Sequence, residues 1–165
     1  MMLLKAVKMA IEKHKSQTRR HSGLPYVIHP ISVAILVSEN KSSRVLDELM
    51  AAAVLHDTLE DTETTFEEIA KEFSPLVASL VYELTSDPKQ IEEIGKNQYL
   101  TKKMVGMSNY GLLLKLADRL SNVMDAPTES YKSDTADMIY DLECQRKLTD
   151  SQKRIVTKIK ECIVG

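Results

Sequence analysis

The sequence predicts an all-α fold, a single helical bundle of about eight to ten helices spanning residues 1–165. Apolar side chains recur at spacings of three and four along most of the chain, which is the periodicity of amphipathic helices. The sequence contains no alternating strand pattern and no internal repeat. A length of 165 residues suits one domain with one hydrophobic core.

Two helices are predicted on either side of a basic turn. Residues 1–17 have an amphipathic pattern and form the first helix. The turn covers residues 18–26, where a Ser-Gly pair and a proline disfavour helix. Pro30 then opens the second helix at its first position, which places His29 at the N-cap, where it is partly exposed.

The central segment combines three predicted helices with one predicted loop. A helix runs from about Arg44 into an acidic turn. Thr64-Thr65 followed by Glu67-Glu68 is a capping-box pattern, which starts a short helix. Pro75 opens a third helix, and the polar residues 89–96 are expected to form a mobile loop.

The C-terminal half is predicted to be helical throughout. Apolar spacing at residues 99–107 indicates one helix, and residues 112–123 are so densely apolar that their helix should be buried. The tail from Ser133 forms either two closing helices or one helix that bends near Thr149 and Asp150.

The acidic turn carries four ionisable side chains within six positions, namely His56, Asp57, Glu60 and Asp61. On a helix, His56 and Glu60 share one face, and Asp57 and Asp61 lie beside them. Three carboxylates at such short distances from one another repel unless a cation compensates their charge. A bound metal ion is therefore one interpretation. The other is an exposed His-Asp pair followed by a solvated acidic turn.

Asp118 lies within the densely apolar segment, together with Lys115, Arg119 and Asn122. A buried carboxylate needs a compensating cation, because an unpaired buried charge is costly. Lys115 or Arg119 can supply that charge as a structural pair, and a metal ion can supply it as well.

Together these segments predict a metal site. The candidate ligands are two imidazoles and two carboxylates, a set that suits Mn, Fe or Zn: His29, His56, Asp57 and Asp118. Glu60 and Asp61 are then placed to orient a water or to transfer its proton. The cations Arg19, Arg20 and Lys115 can hold phosphates, although the two arginines also fit a solvated loop.

Several motifs carry a resemblance to a known family. They are His14-x-x-Gln17-x-Arg19-Arg20, Pro25-Tyr26-x-x-His29-Pro30, the run from His56 to Asp61, and the run from Lys115 to Asn122. The chain resembles the HD-domain superfamily of metal phosphohydrolases. Within it, the chain is similar to the (p)ppGpp hydrolase domains of the RelA/SpoT family and to the stand-alone small alarmone hydrolases of the Mesh1 type. Ser16, where that family usually has Gly, and a longer loop at His21 depart from the pattern.

The resemblance implies a Mn²⁺-dependent enzyme, with Zn²⁺ or Fe²⁺ as alternatives, that removes the 3′-pyrophosphate of ppGpp or pppGpp to give GDP or GTP. By motif match it implies four metal ligands, His29, His56, Asp57 and Asp118, and two catalytic carboxylates, Glu60 and Asp61. The expected substrate-binding residues are Arg19, Arg20, Tyr26, Lys115, Asn122 and Asp125, with Tyr140 as a further candidate.

Two other functions remain open. The same core can act as a phosphatase on another nucleotide, either the 2′-phosphate of NADPH or a nucleoside monophosphate. The chain can also be a sensor that binds alarmone without turnover, but such a sensor has no need of Glu60 and Asp61 beside an anionic ligand. The length leaves no room for a synthetase domain, so a bifunctional enzyme is not expected.

Composition narrows the class of protein further. A net charge of −2 disfavours a binder of nucleic acid polymers, so a small nucleotide is the expected partner. Cys144 and Cys162 lack metal-site or disulfide spacing, and no apolar run or signal peptide indicates a membrane. We therefore expect a soluble cytoplasmic protein. Its oligomeric state and the role of residues 126–165 are not readable from the sequence.

Overall fold

The computed structural model describes residues 1–20 and 22–164, so His21 and Gly165 lie outside it. The described residues form eleven helical segments, and their only β structure is an isolated bridge between Thr18 and Pro25. The all-α prediction is confirmed. No helix in this part of the chain combines the length and apolar composition needed to cross a bilayer.

Contacts divide the chain into two compact units, Met1–Thr85 and Ser86–Gly165. The single domain expected over residues 1–165 stays a prediction. The first unit contains α1 (Met2–Lys13), α2 (Ile28–Asn40), α3 (Leu46–Leu55), α4 (Thr58–Asp61), α5 (Phe66–Glu72) and α6 (Pro75–Leu84). The central helix of this unit is α3, which packs against α1, α2 and α6. Its residues 51–53 are fully buried alanines, whose small side chains let neighbouring helices approach closely.

The start of α2 differs from the prediction. Because the helix begins at Ile28, His29 is its second residue and Pro30 its third, and His29 is buried rather than partly exposed. A turn leads into the helix, with the Tyr26 carbonyl accepting from the His29 N–H at 2.9 Å. Proline fits the first turn because the N–H groups there have no intrahelical acceptor.

The helix predicted to run through the acidic turn is interrupted at His56 and Asp57, between α3 and α4. Two side chains cap the end of α3. His56 Nδ1 lies 2.8 Å from the Ala53 carbonyl oxygen, and the Thr58 hydroxyl donates to the Leu55 carbonyl at 2.7 Å. Such bonds satisfy carbonyls that the helix ladder would otherwise use, so they end the helix there.

The second unit contains α7 (Pro88–Ile94), α8 (Lys96–Gly106), α9 (Asn109–Val123), α10 (Glu129–Gln145) and α11 (Asp150–Val164). Helix α9 packs against α11, and α10 packs against α8, α9 and α11. The buried side chains of α9 include nearly every residue from Gly111 to Val123, as predicted for a densely apolar helix. The tail forms two closing helices, one of the two predicted arrangements.

The mobile loop predicted at residues 89–96 is wrong, because residues 89–94 belong to α7 and Lys96 begins α8. Asp87 caps this helix by accepting hydrogen bonds from the backbone N–H groups of Lys89 and Gln90, and Pro88 occupies its first turn. Gly95 ends the helix at a φ of 83°, a conformation that favours glycine, and α8 follows at once. The Asp-Pro pair is a helix start signal that outweighs the polar composition.

One guanidinium at the end of α10 closes the turn between α8 and α9. Arg146 donates hydrogen bonds to the carbonyl oxygens of Val105, at 3.1 Å, and Met107, and to Oδ1 of Asn109 at 2.9 Å. The last carbonyls of a helix lack intrahelical partners. Arg146 therefore supplies the donors that the end of α8 needs.

Candidate metal centre

Two imidazoles and one carboxylate come together in the first unit, and we call His29, His56 and Asp57 the imidazole cluster. Oδ2 of Asp57 lies 2.9 Å from His56 Nε2 and 3.9 Å from His29 Nε2. The two imidazole rings are 5.2 Å apart between centroids and meet edge to face. Both histidines are buried, and the Asp57 side chain is 20% exposed. The structure thus brings three of the four predicted ligands of this centre together within one unit.

The hydrogen bond of His56 Nδ1 determines which ring nitrogen carries the hydrogen and which one lies beside Asp57 with a lone pair. A carbonyl oxygen only accepts, so Nδ1, at 2.8 Å from the Ala53 oxygen, carries the hydrogen. In the neutral ring Nε2 then has a lone pair, and it faces a carboxylate oxygen at 2.9 Å. Two acceptors at that distance need a hydrogen or a metal ion between them, and the hydrogen can be carried by either His56 or Asp57.

This donor set fits a divalent metal. Neutral imidazole nitrogens and carboxylate oxygens are ligands of Zn²⁺, Mn²⁺ and Fe²⁺, and a ligating histidine normally donates its other N–H to a carbonyl or carboxylate. The bond from His56 to Ala53 supplies that second interaction. The imidazole cluster is therefore a largely buried His/Asp site compatible with metal binding.

Tyr26 joins the imidazole cluster from the turn before α2. Its hydroxyl donates a hydrogen bond to Oδ2 of Asp57, and its ring lies 5.8 Å from the His29 ring between centroids. The resemblance implied a substrate contact for this residue. In the structure this hydrogen bond orients the Asp57 carboxylate, and the substrate contact of Tyr26 stays a prediction.

Asp118 lies in the second unit, where Lys115 and Asn122 bind it. We call these three residues the Asp118 cluster. Lys115 Nζ lies 2.9 Å from Oδ2 of Asp118, and the Asn122 amide donates to Oδ1 at 2.8 Å. All three lie on α9 at spacings of three and four, as the sequence predicted. Lys115, rather than Arg119, is thus the cation that compensates the Asp118 carboxylate.

Arg119 points toward α10. Its guanidinium lies 4.8 Å from the centre of the Tyr131 ring and donates to the Thr135 hydroxyl at 3.4 Å. Burial raises the pKa of the Tyr131 phenol, as does the negative charge of Asp118, whereas Arg119 and Lys115 lower it. The sequence reasoning assigned no role to Tyr131. The available signal in the sequence was Thr128, a helix-capping residue type that predicts the start of α10 just before Tyr131. In the structure Thr128 caps this helix by accepting from the Tyr131 N–H.

The predicted catalytic carboxylates, Glu60 and Asp61, are both exposed on the four-residue helix α4. Partial desolvation raises the pKa of the Asp61 carboxyl above its ordinary value, and the charges of Asp57 and Glu60 raise it further. His14 and His56 lower that pKa. Asp61 thus holds its proton to a higher pH than a free aspartate does.

The remaining predicted substrate residues are spread over both units. Arg19 is partly buried in a turn that its backbone closes by accepting from Gly23 and donating to Leu24, and Arg20 is exposed. Asp125 follows α9 and donates its N–H to the Asn122 carbonyl. Tyr140 is 69% exposed on α10. Substrate roles for these residues stay predictions.

The structure also links two motif residues for which the sequence analysis proposed no role. His14 Nδ1 lies 2.8 Å from Gln17 Oε1, and the Gln17 amide donates to the Asp61 carbonyl oxygen at 3.1 Å. The spacing of His14 and Gln17 within the motif was the available signal. A contact between positions 17 and 61 is tertiary, so spacing alone does not predict it.

Comparisons with known proteins identify relatives along most of the chain. The guanosine-3′,5′-bis(diphosphate) 3′-pyrophosphohydrolase MESH1 of Danio rerio is 41% identical over 125 residues, which are 74% of this chain and 68% of that protein. MESH1 of Homo sapiens is 38% identical over 125 residues, with coverages of 74% and 68%. In Aquifex aeolicus, a guanosine-3′,5′-bis(diphosphate) 3′-pyrophosphohydrolase is 40% identical, and the match spans 72% of this chain and 17% of that protein.

A solved structure supports the same relationship. It is described as a metazoan ortholog of SpoT that hydrolyzes ppGpp and plays a role in starvation responses. Its TM-score to this chain is 0.79 at 26% sequence identity, with 97% of this chain and 94% of that chain covered. Residues 6–142 match the HD domain family. The chain therefore belongs to the HD-domain family, with the MESH1 pyrophosphohydrolases among its relatives, as its motifs predicted.

Proposed function

We propose that this chain is a metal-dependent hydrolase that removes the 3′-pyrophosphate of ppGpp or pppGpp, giving GDP or GTP and pyrophosphate. The observation that carries the proposal is the pair of facing acceptors, His56 Nε2 and Asp57 Oδ2 at 2.9 Å. A metal ion between these atoms would satisfy both of them, and the chain is 41% identical over 125 residues to a MESH1 protein whose name states this reaction. The proposed substrate is thus a small nucleotide.

The proposed ligands are His29, His56, Asp57 and Asp118, and the proposed ion is Mn²⁺, with Zn²⁺ or Fe²⁺ as alternatives. These groups would hold the ion, and a bound divalent ion would supply a lowered pKa to a coordinated water, the chemistry that hydrolysis at phosphorus uses. The His56 N–H bond to Ala53 and the Tyr26 hydroxyl bond to Asp57 keep two of the ligands oriented.

Glu60 and Asp61 are the proposed catalytic carboxylates. Both are open to solvent on α4, and the raised pKa of Asp61 supports a role in holding and releasing a proton. Arg19, Arg20 and Lys115 are the proposed phosphate contacts, because their charges match the anionic substrate. Tyr26, Asn122 and Asp125 complete the proposed nucleotide site.

The proposed location is the cytoplasm. Cys144 and Cys162 are both free thiols, which suits a reducing compartment. Fractionation of the source cells with an antibody against the chain tests this part of the proposal, and recovery from an oxidising compartment contradicts it.

The reaction is tested with metal-stripped protein reloaded separately with Mn²⁺, Zn²⁺ or Fe²⁺. Each form is incubated with ppGpp, pppGpp, NADPH or GMP, and the released pyrophosphate and orthophosphate are measured. We expect pyrophosphate from ppGpp or pppGpp only in metal-loaded protein. Orthophosphate from NADPH or GMP, with no pyrophosphate from either alarmone, contradicts the proposal. Tight binding of ppGpp without product contradicts it also and indicates a sensor.

A further inference from the structure

We propose that Gln17 and His14 are positioning residues for the Asp61 carboxylate. The inference rests on the proposed function, in which Asp61 is catalytic. The inference gives a role to His14 and Gln17, two motif residues to which the proposed function assigns none. Three linked observations within the first unit support it.

The first observation is that Gln17 itself is held firmly. Its N–H donates to the His14 carbonyl at 2.9 Å, and its carbonyl accepts from the Tyr26 N–H at 2.9 Å. The residue is therefore fixed by backbone bonds on both sides, just after α1 ends. Its side chain therefore extends from a backbone position that two hydrogen bonds hold in place.

The second observation is where that side chain ends. Gln17 Nε2 donates to the carbonyl oxygen of Asp61 at 3.1 Å. Asp61 is the last residue of α4, a helix of four residues, and Thr62 after it is extended. The final carbonyls of a helix have no intrahelical donor. Gln17 satisfies such a carbonyl on the very residue whose side chain is proposed to transfer the proton.

The third observation is the bond that orients the Gln17 amide. Because Nε2 faces a carbonyl oxygen, Oε1 faces His14, whose Nδ1 lies 2.8 Å away and must carry the hydrogen. His14 is 2% exposed, and its ring lies 5.0 Å from that of Tyr26 between centroids. The imidazole thus prevents the amide from turning its oxygen toward Asp61.

A packing role alone does not account for histidine at position 14. Among the described residues, His14 Nε2 is buried and has no hydrogen-bond partner. An unpartnered buried nitrogen costs free energy that an apolar side chain of similar volume avoids. A histidine here is therefore explained by the hydrogen bond that its other nitrogen makes, which is the bond to Gln17.

The test compares Gln17→Met, which removes both hydrogen bonds at similar volume, with Gln17→Glu, which can still accept from His14 but cannot donate to Asp61. Gln90→Met is the matched control, since the Gln90 amide donates to Asp87 at 2.9 Å in the second unit. Each protein is loaded with Mn²⁺ and assayed on ppGpp, and its thermal unfolding is measured. Amide hydrogen exchange is followed over residues 58–62 in the metal-free protein.

We expect both Gln17 variants to lower kcat by about 10-fold or more with KM within about twofold, because a misplaced catalytic group slows the chemical step. Their Asp61 and Thr62 amides should exchange faster, and the unfolding midpoints should stay close to that of Gln90→Met. His14→Phe should reproduce the loss; if this buried variant fails to fold, the Gln17 pair still decides.

Wild-type kcat in Gln17→Met, or full activity in Gln17→Glu, overturns the inference. Loss of activity that follows a general loss of stability overturns it also. If the wild-type protein does not hydrolyse ppGpp, the proposed function fails, and the exchange measurement alone decides about anchoring. Unchanged exchange at Asp61 and Thr62 in both variants then rejects the Gln17 anchor.

Discussion

The two polar clusters compensate a carboxylate in different ways. In the Asp118 cluster each carboxylate oxygen has a donor from the same helix, Lys115 at 2.9 Å and Asn122 at 2.8 Å. In the imidazole cluster, Asp57 faces the lone pair of His56 at 2.9 Å. The described contacts thus give the Asp118 carboxylate an ammonium partner and the Asp57 carboxylate imidazole partners, whose charge depends on a bound proton or metal ion. An imidazole beside a carboxylate is a donor pair that metal ions bind, so the imidazole cluster is the stronger indication of a ligand site.

Removing a histidine from the imidazole cluster should have the largest effect. We expect His56→Ala to abolish Mn²⁺ binding and to lower turnover by about 10³-fold or more, because the ion loses a neutral nitrogen donor. Asp118→Ala should do the same if Asp118 is a ligand. Metal content by mass spectrometry, together with the ppGpp assay, checks both variants. Full metal content in His56→Ala would show that the acceptors in this cluster are balanced by a proton alone.

Glu60→Ala separates the ligands from the carboxylates beside them. We expect this variant to keep its metal and to lose about 10²-fold in rate, the usual size of a general acid–base contribution. Glu63→Ala, which changes an exposed carboxylate at nearly the same place in the chain, is the control and should keep its rate. Loss of metal from Glu60→Ala would mean that Glu60 belongs to the ligand set.

Lys115→Met tests whether the Asp118 cluster is compensated by the protein. The change leaves a buried carboxylate without its ammonium partner, so we expect the metal-free protein to lose about 2 kcal/mol in its free energy of unfolding. Lys102→Met removes an exposed lysine of α8 and should change stability by less than about 0.5 kcal/mol. Urea unfolding curves measure the difference. Equal stability of the two variants would place the compensating charge elsewhere.

The smallest expected effect concerns Asp61, whose pKa is raised above the ordinary value of 3.8. The folded state therefore binds more protons than the unfolded state between the two pKa values, so stability is lost as pH rises through that interval. Asp61→Asn should raise the unfolding midpoint of the metal-free protein slightly at neutral pH and leave it unchanged well below pH 3.8. The gain is small because solvent screens an exposed carboxylate. A lower midpoint at neutral pH contradicts the sign of this shift.

The sequence predicted the chemistry of the imidazole cluster better than its backbone. Residue types and motif spacing singled out His29, His56 and Asp57, which the structure brings together. The same spacing predicted a continuous helix through His56, whereas side-chain bonds to the Ala53 and Leu55 carbonyls end α3 there. Those bonds depend on rotamers set by surrounding contacts. The periodicity of a sequence predicts which face of a helix is apolar. It does not predict whether a polar side chain will hydrogen-bond to a backbone carbonyl of the same helix.

Two further outcomes, at Asp118 and at α7, have different causes. Spacing on α9 allowed either Lys115 or Arg119 to pair with Asp118, and contacts with Tyr131 and Thr135 on α10 decided between them. The helix α7 was missed although Asp87 and Pro88 are adequate start signals, because the residues after them are polar. The partner of Asp118 could be identified only from tertiary contacts. Helix α7 could have been predicted from its cap residues, which are a stronger signal than the polar composition that follows them.

The contacts of Arg146 bear on how far the C-terminal end of the second unit can be truncated. The HD domain match ends at residue 142, four positions before the guanidinium that caps α8. A fragment cut at that boundary would lose this cap and also α11, which packs along the helix that carries Asp118. A fragment ending at the family boundary is therefore expected to be less stable than the chain that keeps Arg146 and the closing helix.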